Sequence, residues 1–139
     1  MTPLTRDQFR EQALKRDDNR CVFCGSTRDL SVHHILERKL WGESGGYFIN
    51  NAATVCERHH LQTEYTTLSV EAVRQATKIQ QIILPAGFDP ATTYDKWGNI
   101  IKPDGSRQPG PLFNDDGCQK ALKRGGVFHL YQDQSSAKL

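Results

Sequence analysis

Apolar residues in this 139-residue chain fall in short, interrupted patterns, and each pattern points to a short element. Phe9 and Ala13 share a helical face between Thr5 and about Arg16, and Thr5 with Gln8 makes a capping-box signature at its start. Asp17-Asp18-Asn19 ends that helix with turn chemistry. Leu30 to Leu36 reads as a short strand carrying His33 and His34. Glu37 to Asn50 holds Gly42, Gly45 and Gly46 and reads as a loop anchored by Trp41, Tyr47 and Phe48. Ala53-Thr54-Val55 predicts a second strand. Glu57 onward predicts a helix on which His60 and Glu64 stand one turn apart. Ser69 caps a further helix over about 70–83, with Val70, Val73 and Ile83 at helical period and Pro85 as its stop. Tyr94 to Arg107 predicts a strand pair turning at Pro103-Asp104-Gly105. Asp115 to about Lys123 predicts a short helix, and the alternation Val127–Tyr131 a last strand. The tail after Gln132 is polar and expected to fray.

These elements describe an α+β protein. Residues 1–68 form a small core, and residues 69–139 form a helix and a β-rich extension expected to pack on it as one domain. Hydrophobic residues make up 37% of the chain, so the apolar core is modest and gains from a structural metal. No apolar run approaches a membrane span, and the first residues lack a secretory pattern, so a cytoplasmic protein is expected. The formal charge is +2, with residues 1–64 balanced. There is no broad basic field, so phosphate contacts must come from local placement.

The chemistry is concentrated in two sets of residues. Cys21-x-x-Cys24, then a 31-residue spacer, then Cys56-x-x-His59 brings two short turns onto one ion, and thiolates with an imidazole suit zinc. His59 and His60 both compete for the fourth place, and the x-x spacing favours His59. Cys118 has no partner motif and reads as a free, partly buried thiol. The second set is what the knuckle leaves over: His33, His34, Asn51 and His60.

Cys21-x-x-Cys24, His33-His34-Ile35, Asn51-x-x-x-x-Cys56 and Cys56-x-x-His59-His60, in that order, resemble the HNH endonuclease family. Within it they resemble the branch with a zinc knuckle on a ββα-metal fold. The resemblance covers about residues 8–64. It implies that His34 is the general base and that His33 and His60 bind a catalytic divalent ion. It implies that Asn51 holds the loop that orients the base. It implies DNA as substrate, a structural Zn2+, and Mg2+ or Mn2+ in catalysis. Two features depart from the family pattern. His59 stands where a fourth cysteine is more common. Leu61-Gln62-Thr63-Glu64 follows the final histidine where many members place a basic residue, which brings Glu64 into reach of the metal.

The residue chemistry agrees with these roles. A neutral imidazole is a suitable base at cellular pH, and one divalent ion can stabilise charge on a phosphodiester. Two imidazoles alone lean toward manganese, nickel or zinc rather than magnesium. Adjacent strand residues point to opposite faces, so His33 and His34 can serve the metal and the water separately only where the strand bends or ends. Arg38 and Lys39, with Arg58, are the candidate phosphate contacts, and the C-terminal extension is a candidate surface for a protein partner. The reading from another class is a non-catalytic zinc-binding adaptor for nucleic acid or protein, which keeps the knuckle and uses the histidines structurally.

Overall fold

The computed structural model describes residues 2–131. Among these, helices and two small antiparallel sheets alternate in an α+β arrangement. Helix α1 spans Arg6–Arg16 and opens on the capping box expected at Thr5 and Gln8. It buries Phe9 and Ala13 against Ala52, with Val32, Tyr47 and Ile49 around them. Arg16 then donates to the carbonyls of Ile49 and Ala52, and Asp17 accepts from the Thr54 N–H, which ties the end of α1 to the next hairpin.

That hairpin pairs β1 (Ser31–His34) with β2 (Ala52–Val55), Ser31 opposite Val55 and His34 opposite Ala52. The chain between them makes short 3-10 turns at Arg38–Leu40, Gly42–Ser44 and Ile49–Asn51. Phe48 is buried, and the Trp41 indole N–H donates to the Leu36 carbonyl, so the aromatic residues anchor this segment as expected. Gly46 sits at φ 71°, where an added Cβ would fall 2.6 Å from the Trp41 ring. Helix α2 (Glu57–Glu64) follows directly from β2.

Helix α3 spans Val70–Thr77, shorter than the 70–83 that periodicity predicts. Lys78 takes a left-handed conformation (φ 60°), and the amides of Lys78 and Ile79 close on Gln75 and Arg74, which ends the helix before the apolar run reaches Pro85. Ser69 caps its start and Val70 and Val73 face the core beside Ile35, Leu36, Ala53 and Val55.

The second sheet orders β3 (Thr93–Tyr94), β4 (Ile100–Ile101) and β5 (Arg107–Gln108), and its β4–β5 hairpin turns at Lys102–Ser106 as expected. Helix α4 (Asp116–Arg124) is capped by Asp115, which accepts from the Gly117 and Cys118 amides. Cys118, Ala121 and Leu122 pack with Trp97 and Tyr131 in a third apolar cluster. Residues Val127–Tyr131 are not the strand that alternation suggests. They form a helical turn, with Leu130 N–H on Val127 O and Tyr131 N–H on Phe128 O. Phe128 and Tyr131, three apart, both meet Phe113, the first stacked and the second tilted. A short alternating apolar run does not separate these two geometries. The tail after Gln132 lies outside the described residues.

The extension packs on the core. The Trp97 indole donates to Glu64 O, the Glu37 amide donates to Lys96 O, and Arg107 reaches Thr66. No helix among the described residues is long and apolar enough to cross a membrane.

Candidate metal centres and the histidine cleft

The knuckle assembles as the spacing predicts. Cys21 and Cys24 sit on a turn closed by the Gly25 amide on Cys21 O, with Gly25 at φ 74°. Cys56 and His59 begin α2. Cys24 Sγ lies 3.8 Å from Cys56 Sγ, Cys21 Sγ 3.6 Å from His59 Nδ1, and Cys56 Sγ 3.1 Å from His59 Nδ1. A tetrahedral zinc with ordinary bond lengths separates two sulfurs by about 3.8 Å and a sulfur from a nitrogen by about 3.5 Å. Cys21, Cys24, Cys56 and His59 therefore lie close enough to hold a metal such as zinc. Burial opposes ionisation of the Cys21 thiol, but backbone hydrogen bonds outweigh it and lower its pKa, while the neighbouring Cys24 thiol shifts upward. Burial, with the neighbouring Arg58, lowers the His59 imidazole, which favours the neutral ligand. Phe23 stacks on the His59 ring at 5.1 Å.

With His59 in the knuckle, His60 turns to the other side of α2. Its Nδ1 shares a 2.9 Å hydrogen bond with Ser31 Oγ, and its Nε2 lies 3.3 Å from Glu64 Oε1. His33 projects from the same face of β1 as Ser31 and is 2% exposed. Its Nδ1 is buried with no hydrogen-bond partner among the described residues, 3.9 Å from Glu64 Oε1. His33, His60 and Glu64 form a second group whose ligand atoms all lie within 4.8 Å of one another. Burial, then the positive charge of Lys96, holds His33 neutral. Burial alone would raise the Glu64 carboxyl, but the His60 hydrogen bond and Lys96 outweigh it and hold it at about 2. A neutral buried nitrogen without a partner, beside a carboxylate and a second imidazole, fits a divalent ion.

His34 is the last residue of β1, so its ring leaves the sheet on the opposite face from His33. It stacks on Phe9 at 4.6 Å and meets the Tyr47 ring edge-on at 5.0 Å. Its Nε2 is buried and has no hydrogen-bond partner among the described residues. Burial pushes its pKa down to about 4, so the ring is neutral near pH 7.

Asn51 is 1% exposed and bridges the two ends of the intervening segment. Its Oδ1 accepts from the Leu36 N–H, and its Nδ2 donates to the carbonyls of Leu36 and Gly46. It thus fixes the exit of β1 just after His34 and the Gly45–Gly46 turn that precedes Tyr47.

Both histidines line an open cleft of about 630 Å³, together with His60, Glu64, Glu37, Tyr47, Lys96, Arg6, Arg10 and Arg38. Of the phosphate contacts expected from sequence, Arg38 lies on this rim. Lys39 does not. It is tied to Asp115 at 2.8 Å, a pairing that raises its own pKa. Arg58 is exposed on α2 beside the knuckle and outside the cleft lining. Glu37, Lys96, Arg6 and Arg10 are cleft residues that the motif does not contain. Only Ser31 carried a local signal, its i, i+2 relation to His33 on one strand face. No protein-family model matches the chain, nor does any curated protein or solved structure with which it was compared.

Proposed function

We propose that this chain is a divalent-metal-dependent endonuclease of the HNH type that hydrolyses phosphodiester bonds in DNA. The observation that carries the reading is a juxtaposition. His34, whose buried Nε2 has no hydrogen-bond partner among the described residues, lines the same cleft as the His33–His60–Glu64 ligand group.

In this reading His34 is the general base. Burial keeps its imidazole neutral near pH 7, the form that can take a proton from water. The water oxygen bonds to phosphorus as the bond to the 3′ oxygen breaks. Phe9 and Tyr47 clamp the ring in place, and Asn51 holds the backbone on either side of it. His33 and His60 hold the ion, Ser31 orients the His60 ring, and Glu64 adds one carboxylate oxygen. That carboxylate brings the donor set nearer to magnesium or manganese than two imidazoles alone would. When bound, the divalent ion supplies Lewis-acid stabilisation of the charge on the phosphate and the leaving oxygen. Arg38, Arg6 and Arg10 offer backbone-phosphate contacts at the rim. The knuckle serves structure, fastening the Cys21–Gly25 turn to the start of the helix that carries His60.

A substrate panel tests the proposal. Zinc-loaded protein is incubated with supercoiled plasmid, linear duplex, single-stranded DNA and RNA, each with magnesium or manganese. Metal-dependent nicking or linearisation of duplex DNA is expected, with loss of cutting in His33→Ala and His60→Ala. A folded wild type that cuts nothing with either metal would favour a zinc-binding adaptor instead.

A further inference from the structure

The extension places an ammonium group inside the cleft. Lys96 is 4% exposed, and its Nζ bonds Glu37 Oε2 and both Glu64 oxygens, the latter at 3.1 and 3.0 Å. A buried lysine is costly unless paired, and the fold does more than pair it. Asp95, 2% exposed, accepts from the amides of Trp97 and Asn99, from the Asn99 side chain and from the Tyr131 hydroxyl. The Lys96 carbonyl accepts from the Glu37 amide at 2.9 Å, and Nζ lies 4.0 Å from the centre of the Trp97 ring. The turn that carries Lys96 is therefore fixed on every side.

Glu64 stands between the ammonium and the imidazoles. Its Oε1 faces His60 Nε2 and His33 Nδ1, and Lys96 bonds both of its oxygens. Formal charges add a consequence. Lys96 sets one positive charge against the carboxylates of Glu37 and Glu64, so removing it makes the surroundings of the ligand group one unit more negative.

We propose that Lys96 is a positioning and charge-setting residue, supplied by the extension, that holds Glu64 beside the proposed metal ligands His33 and His60. It weakens the hold on the divalent ion and in return makes the loaded site more positive toward a phosphodiester. The inference rests on the nuclease reading above. It gives the extension a part in the site rather than a covering role alone.

The test is manganese titration of the zinc-loaded full chain by calorimetry, alongside steady-state cleavage of a duplex oligonucleotide. Lys96→Met is expected to bind manganese at least fivefold more tightly and to raise KM at least tenfold, since removing a nearby cation favours one charge and disfavours the other. Lys96→Arg should keep manganese affinity within threefold. Glu37→Gln, which removes a negative charge instead, should weaken manganese at least threefold. A folded Lys96→Met with unchanged or weaker manganese binding overturns the proposal, as does a loss confined to kcat. If circular dichroism shows Lys96→Met unfolded, the other two variants decide, and a Glu37→Gln indifferent to manganese overturns it. A wild type that takes up no manganese overturns both this inference and the nuclease reading. Uptake that vanishes in His33→Ala but ignores Lys96 and Glu37 overturns this inference alone.

Discussion

Replacing Asn51 with alanine should destabilise the protein by about 2–5 kcal/mol. The value follows from which groups lose their partners. Asn51 is 1% exposed and makes three hydrogen bonds to backbone. Two of the backbone groups keep another partner, since the Trp41 indole still reaches Leu36 O and the Phe48 amide still reaches Gly46 O. Those two losses cost about 0.5–1 kcal/mol each, as ordinary net hydrogen bonds. The Leu36 N–H has no such reserve and becomes an orphan, which costs about 1–3 kcal/mol. With a urea slope of roughly 1.5 kcal/mol/M, the midpoint should fall by about 2 M. The assay is urea unfolding of zinc-loaded wild type and variant at matched zinc, followed by circular dichroism and tryptophan fluorescence. A loss below 1 kcal/mol would refute the reasoning, because Asn51 would then not be holding the backbone on either side of His34.

Chelating the knuckle metal should lower the melting temperature by about 15 °C or more, since structural zinc contributes several kcal/mol and joins two separate turns. Elemental analysis before and after chelation should show the loss of one zinc per chain. Cys118 is buried against Asn99, and burial pushes its thiol to about 12. It should resist iodoacetamide at pH 8 in the folded protein and react only on unfolding, whereas the exposed Cys24 should become reactive on chelation alone; mass mapping separates the two. Arg38→Ala should raise KM about threefold to tenfold and reduce the salt dependence of binding, while Lys39→Ala, whose ammonium is already engaged by Asp115, should change KM less than twofold.

Local chemistry made much of this protein legible from its sequence. The Thr5–Gln8 capping box, the Cys-x-x-Cys turn and the Ser69 cap each work over a few residues, and each is found where the sequence places it. The division between His59 and His60 was legible because successive residues on a helix diverge, so one can face the knuckle and the other the cleft. The end of α3 was not, because Lys78 adopts a left-handed conformation that its side chain does not advertise. Least legible was the Glu37–Lys96–Glu64 group. Lys96 stands 32 positions beyond Glu64 on a ribbon whose placement depends on buried Asp95, Asn99 and Tyr131, and nothing local to any of these residues announces the meeting.

The claim that His34 acts as the base is tested most directly by single-turnover cleavage of a labelled duplex with His34→Ala. Wild type and variant are compared at one zinc per chain and at saturating manganese. The account predicts that the variant folds, keeps its zinc and binds manganese, yet cuts at least 100-fold more slowly, the scale of a lost general base. A variant that cuts within a fewfold of wild type would contradict it.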